Sequence, residues 1–364
     1  MKRSSLLRWL SIATGCVLLC LWPAYGHADL TVNGLDIGPS LGANSGLYNF
    51  YDYPFFDGGF PESAEDVQAF QVAPIYNVGK SLSGTNRKKV PGNHQLDALV
   101  MLFQWVYFYP WQPFSNHITL SSDMFFNYQT VHVDSGEPVG IGVGGGGFGD
   151  ISWTPLGIGI SYQHWKYEDW VKPTAYISPL IGFPSGAYDK GDAFNTGGNA
   201  WSITPAFIGW TYLGKNFGPL AGSEWQEDLI YSHVFSANDQ FPTPAPLVKT
   251  LGAFTTFSPG DSIVFNNAFL FPVLKDLKAG FHVTYTQSLS APDIGGLTVH
   301  GSEVQELGVG PAFMTHVGPV NLWLSFATDI MTKNVFRQYG FYLTGDYAFP
   351  TMALLKDELP SWMK

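Results

Sequence analysis

Cysteine is nearly absent from this chain. Its 364 residues hold two, Cys16 and Cys20, and both fall in a segment that reads as a cleaved export signal. Lys2, Arg3 and Arg8 make a positive start, an apolar stretch runs from Leu10 to Leu21, and Gly26-His27-Ala28 offers small residues for cleavage before Asp29. A mature exported chain without cysteine has no disulfides, which argues against a small stapled secreted domain. Cys16 stands before most of the apolar stretch, so lipid attachment there is not expected. Long apolar runs are also missing: Leu10–Leu21 is too short to span as a helix and Pro23 follows it, with nothing longer downstream. Charge is scarce, at 13% of residues, and mostly of one sign. Losing three basic residues with the signal takes the net charge from −11 to −14, an unfavourable balance for binding nucleic acid. The mature histidines never gather at zinc-ligand spacing, so neither a metal nor a cofactor is expected.

Aromatic residues, glycine and alternation are plentiful. Aromatics make up 16% of the chain, and there are 41 glycines. In 318–331, Val320, Leu322, Leu324, Phe326 and Ile330 share one face of an extended strand, and Asn321, Ser325 and Asp329 share the other. Trp323 is the exception, an aromatic on the polar face. Side chains alternate between faces along a strand, so such a segment has one oily and one wet side. The same reading marks strands near 66–79, 95–109, 117–132, 149–163, 171–184, 200–213, 223–236, 262–273, 278–290 and 303–316, and a last one ending at Phe349. The strand at 95–109 is apolar on both faces. Soluble sandwich strands average about five or six residues, whereas a tilted strand crossing a bilayer needs about ten. Trp105, Tyr109, Trp111, Trp165, Tyr167 and Trp170 gather near strand ends, as interfacial girdles do. The expectation is an all-β fold, a transmembrane antiparallel β-barrel of about twelve strands, with fourteen the next even number. It belongs in the cell outer membrane, with outer-membrane lipid, lipopolysaccharide and the barrel assembly machinery as partners.

The chain then divides into a signal at 1–28, an N-terminal segment at 29–65, the barrel at 66–349 and a tail at 350–364. The N-terminal segment carries an aromatic knot that includes Tyr48, Phe50, Phe55 and Phe56, read as packing at the barrel mouth or as a first strand. These residues, with Phe103 of the two-faced apolar strand, are the candidate contacts for an apolar solute. Asp123, Asp228, Asn321 and Asp329 are expected to point into the lumen.

Several catalytic patterns match without their context. Gly38-Pro39-Ser40-Leu41-Gly42 fits G-x-S-x-G, but no apolar strand enters it and no helix leaves it. Gly140, Gly142 and Gly145 fit G-x-G-x-x-G within a glycine run that reads as flexible turn leading into a strand. Ser115 and His117 are close in sequence but read as a turn. Asp189, Asp192, Asn195 and Asn199 could offer oxygen ligands to calcium, yet they lack a regular spacing. No enzyme is expected.

The densest pattern lies in 179–213. Pro184, Gly186, Tyr188 and Asp189 are followed by Asn195, Gly197, Asn199 and Trp201, then Pro205 and Thr211. Upstream stand Gly147-Phe148-Gly149-Asp150, and near the end Gly308-Val309-Gly310-Pro311. In these residues the chain resembles the meta-pathway phenol-degradation family of outer-membrane proteins, from about residue 44 to 349. The resemblance implies a barrel related to channels for apolar molecules, in some organisms encoded beside enzymes of aromatic degradation, and implies no catalytic residue. It departs near 236–260, where Pro242, Pro244 and Pro246 replace a tighter loop. Gly149, Asp150, Pro184, Gly186, Tyr188, Asp189, Asn195, Asn199, Trp201 and Pro205 read as turn and bulge chemistry that shapes the wall. The function expected is a channel for passive uptake of small hydrophobic, including aromatic, compounds. The alternatives are a barrel without transport and an outer-membrane enzyme acting on lipid.

Overall fold

A computed structural model describes residues 67–109, 118–134, 142–160, 166–187, 200–235, 237–238, 256–258, 260–294, 296–298, 300–318 and 320–350. Twelve long strands form the wall: β1 (Val67–Leu82), β2 (Gln95–Phe108), β3 (Ile118–Asp134), β5 (Ile151–Ile160), β6 (Val171–Phe183), β7 (Ser202–Leu213), β8 (Glu224–Val234), β11 (Ser262–Leu274), β12 (Leu277–Ser288), β15 (Gln305–Val317), β16 (Val320–Lys333) and β17 (Phe336–Pro350). Each pairs antiparallel with its neighbour in sequence. The sheet closes where β1 meets β17, in register from Val67↔Pro350 to Leu82↔Phe336. Closure leaves no free edge within the wall, the condition for strands to cross lipid.

A thirteenth strand, β4 (Gly142–Phe148), corrects the sequence reading of the glycine run as turn. It pairs with the far half of β3, from Tyr128↔Phe148 to Asp134↔Gly142, while β5 pairs with the near half. Glycine lacks side-chain signal, but backbone pairing alone suffices to hold it extended along β3. Short pieces β9 (Ala237–Asn238), β10 (Thr256–Ser258), β13 (Asp293–Ile294) and β14 (Leu297–Thr298) make a separate small sheet from two loops.

Tight links at 275–276 and 318–319 lie at one rim, and the long connections 184–201, 235–261 and 289–304 at the other. Short turns mark the periplasmic side of such barrels, so Phe108, Leu213 and Leu274 lie at the periplasmic rim. The loop rim has one tight exception, 334–335. There Asn334 takes a left-handed φ of 56° and its Nδ2 donates to the carbonyls of Gly301 (2.6 Å) and Glu303 (2.9 Å).

Alternation sorts the wall into two surfaces. Outward stand Phe70, Ile177, Phe207, Phe281, Phe313, Phe326 and Phe341, exposed in the isolated chain. Lipid is the medium that covers such a band without penalty. Aromatic ladders mark both rims. Trp153, Phe183 and Trp201 run from β5 past β7 at the loop rim, with centroids 6.5 and 5.0 Å apart. Trp170 meets Phe217 at the periplasmic rim. Several wall strands carry prolines, which cannot donate to the ladder. Pro155 sits where β5 changes register with β6, and Pro179 and Pro205 oppose each other across β6 and β7.

Candidate functional site: the inner surface of the barrel

The inner face mixes two chemistries. Gln71, Gln104, Asp123, Asp228, Asn266, Asp329 and Asp346 are buried polar residues on it, as expected of a barrel lumen. Alongside them runs one contiguous cluster of buried apolar side chains. It includes Val100, Leu102, Val106 and Phe108 of β2, Phe125 of β3, Ile208, Trp210 and Tyr212 of β7, Ile230 of β8 and Val264 of β11. Phe108 and Tyr212 lie at the periplasmic rim and Val264 close to the loop rim, so the cluster extends through most of the wall's depth.

Large inward side chains lie flat over small ones. Tyr176 of β6 crosses Gly157 of β5 and reaches β3, where its hydroxyl meets Ser121 Oγ at 2.9 Å and Asp123 Oδ2 at 3.2 Å. A Cβ at Gly157 would sit 2.0 Å from that hydroxyl. Trp323, the aromatic out of place in the sequence pattern, is 1% exposed and packs with Ala268, Leu270, Ala312 and Met314. Its parity is right and its chemistry unusual: it faces inward among the polar residues. Near the periplasmic rim Glu224 is buried, with Lys278 Nζ at 2.9 Å and Gln226 Nε2 at 2.7 Å. The same ammonium lies 5.1 Å above the Tyr212 ring.

The sequence-derived candidates fall in different places. Tyr48, Phe50, Phe55 and Phe56 lie outside the described residues, as do Tyr188, Asp189, Asn195, Asn199, Ser115 and His117. Phe103 stands on the outward face, stacked between Phe70 (6.4 Å) and Phe126 (5.5 Å). Its ring therefore faces the bilayer, and the inner greasy surface of β2 belongs to Val100, Leu102, Val106 and Phe108. Asp123, Asp228 and Asp329 are inward and buried. Asn321 donates to Asp346 Oδ2 at 2.8 Å and contacts His316 Nδ1.

Part of the motif converges in space. Asp150 Oδ1 accepts the backbone N–H groups of Ser185 (3.0 Å) and Gly186 (2.7 Å). Ser185 Oγ accepts from Ile151 N, and Ala187 N donates to the Phe148 carbonyl. Gly149 N donates to the Asn127 carbonyl, and a Cβ there would meet Asn127 Oδ1 at 2.1 Å. Thus Gly149 and Asp150 make the jog between β4 and β5, while Asp150 ties down the turn after β6, next to Pro184.

Sequence reasoning did not single out Tyr176, Tyr342 or His282. Each sits at inward parity among polar neighbours, and an aromatic at that parity was the available signal.

A model of the family described as "Putative MetA-pathway of phenol degradation" matches residues 79–345. The chain belongs to this family. No curated protein is similar enough in sequence to count as a match. Among solved structures, the chain is similar to the COG4313 outer membrane channel from Pseudomonas putida F1, with TM-score 0.62 and 16% identity over 79% of this chain and 99% of that one. It also aligns with the beta domain of the Bordetella autotransporter BrkA, at TM-score 0.42 and 9% identity, over 78% of this chain and 100% of that one. The first likeness places the fold among outer-membrane barrels.

Proposed function

We propose that this protein is an outer-membrane channel for passive entry of small hydrophobic solutes, aromatic ones included. The observation that carries the reading is the apolar cluster on the inner wall, from Phe108 and Tyr212 to Val264. A porin for polar solutes needs a wet lumen, whereas a solute with no hydrogen-bonding groups is held by burial against apolar side chains. The family match and the likeness to an outer membrane channel point the same way. The aromatic knot with Phe55 and Phe56 remains part of the proposal, as the place where solute is first captured.

The test compares uptake of a labelled apolar compound and of labelled succinate in cells with and without the protein. Loss of apolar uptake alone supports the proposal, and loss of succinate uptake alone indicates a polar porin. A triple variant, Val100→Thr, Val106→Thr and Val264→Thr, keeps side-chain shape but adds three hydroxyls to the cluster. It should slow the apolar solute while the barrel still assembles; unchanged uptake would remove the inner wall from the path. If the protein changes neither uptake, the reading becomes a structural barrel without transport.

A further inference from the structure

Two strands, β15 and β16, separate His282 on β12 from Tyr342 on β17 along the wall, yet their rings nearly touch. The centroids lie 6.4 Å apart with planes at 81°, whereas strand spacing alone puts three steps at about 14 Å. The contact is a chord across the inside of the barrel. The residues beneath it make it achievable. His282 is in register with Gly310, and Ala327 with Gly340, so the inner wall along the His282 row carries no side chain larger than a methyl group, and the small Ser325 stands opposite Tyr342. Tyr342 leans back over Gly340, where a Cβ would lie 2.3 Å from its hydroxyl. That hydroxyl stands 3.4 Å from Asn77 Oδ1 on β1, and Thr284 Oγ stands 2.9 Å from His282 Nε2. Both rings are buried, and each is held at its far end by a polar group.

We propose that His282 and Tyr342 form a bar that sets the size limit of the lumen. The proposal rests on the channel reading and adds the residues that determine which solutes fit. A pore conducts according to its narrowest section, and removing one ring of the pair opens the chord to the glycine and alanine floor behind it. Trp323 is the competing constriction, lying deeper, toward the periplasmic rim.

The full mature protein and its variants are reconstituted in planar bilayers and single-channel conductance is measured in KCl. Heat-dependent migration on gels confirms that each variant is folded. Tyr342→Ala and the double variant with His282→Ala should conduct at least about twofold more than the parent. Tyr342→Phe, which keeps the ring, should match the parent. Tyr342→Leu and His282→Ala alone provide milder openings should the larger cut fail to assemble. A parent that is closed to ions and opens on Tyr342→Ala supports the bar equally. Conductance unchanged in every Tyr342 and His282 variant overturns it, as does a rise confined to Trp323→Ala. Cell uptake decides the channel reading separately, so failure of the bar leaves a distinct signature.

Discussion

Replacing Gly157 by alanine tests the inner packing directly. The new Cβ would stand 2.0 Å from the Tyr176 hydroxyl and 2.5 Å from Cζ, so the ring must swing off β5. Overpacking a filled interior costs about 1–3 kcal/mol. The swing also removes the tyrosine from Ser121 and Asp123, and loss of a buried polar partner adds about 1–3 kcal/mol. Gly157→Ala should therefore destabilise the barrel by about 2–6 kcal/mol, read as the shift in guanidinium midpoint from lipid vesicles at constant slope. Tyr176→Phe, which removes the hydroxyl alone, should cost only the second part. The decisive comparison is a cycle with Tyr176→Ala. If the clash is the cause, Gly157→Ala becomes nearly neutral once the ring is gone, and the two changes fail to add. An equal penalty in both backgrounds, or none in the parent, would refute the reasoning.

Other consequences follow from the same structure. Lys278→Met should cost about 3–5 kcal/mol, because it leaves the buried Glu224 carboxylate without its ammonium; adding Glu224→Gln should recover most of that loss in the same unfolding assay. Phe326→Arg puts a cation on the lipid face midway along β16 and should cost about 2–4 kcal/mol and slow insertion into vesicles. Asp150→Ala should loosen the 184–187 turn by about 1–2 kcal/mol, the value of hydrogen bonds to a charged group discounted for exposure. Faster protease cleavage at that turn on intact cells is the readout, and an unchanged rate would show that Asp150 does not hold it.

Much of the fold was legible before any coordinates, because a strand's two-residue period sorts side chains by face whatever surrounds it. The length of the periodic segments then selected a membrane barrel over a sandwich. Strand positions follow the sequence expectation to within a few residues across β5, β6, β7 and β11. The glycine run of β4 was illegible, since pairing with β3 is a backbone event that leaves no mark on side-chain pattern.

The inner site was only partly legible. Asp123 and Asp329 could be placed in the lumen because each lies on the polar face of a clearly alternating strand, whereas Asp228 follows Glu227 and has no such pattern around it. Phe103 could not be placed, because a strand apolar on both faces gives parity without saying which parity is inside. The sequence by itself determined the number and span of the wall strands within narrow limits and the two-sided character of the wall. Tertiary structure alone decided which face of β2 looks inward, that Trp323 lies in the interior, and that Tyr176 crosses Gly157 and His282 meets Tyr342. Those contacts join strands two and three apart in the sheet. They depend on register, curvature and closure, and a local pattern two residues long carries none of these.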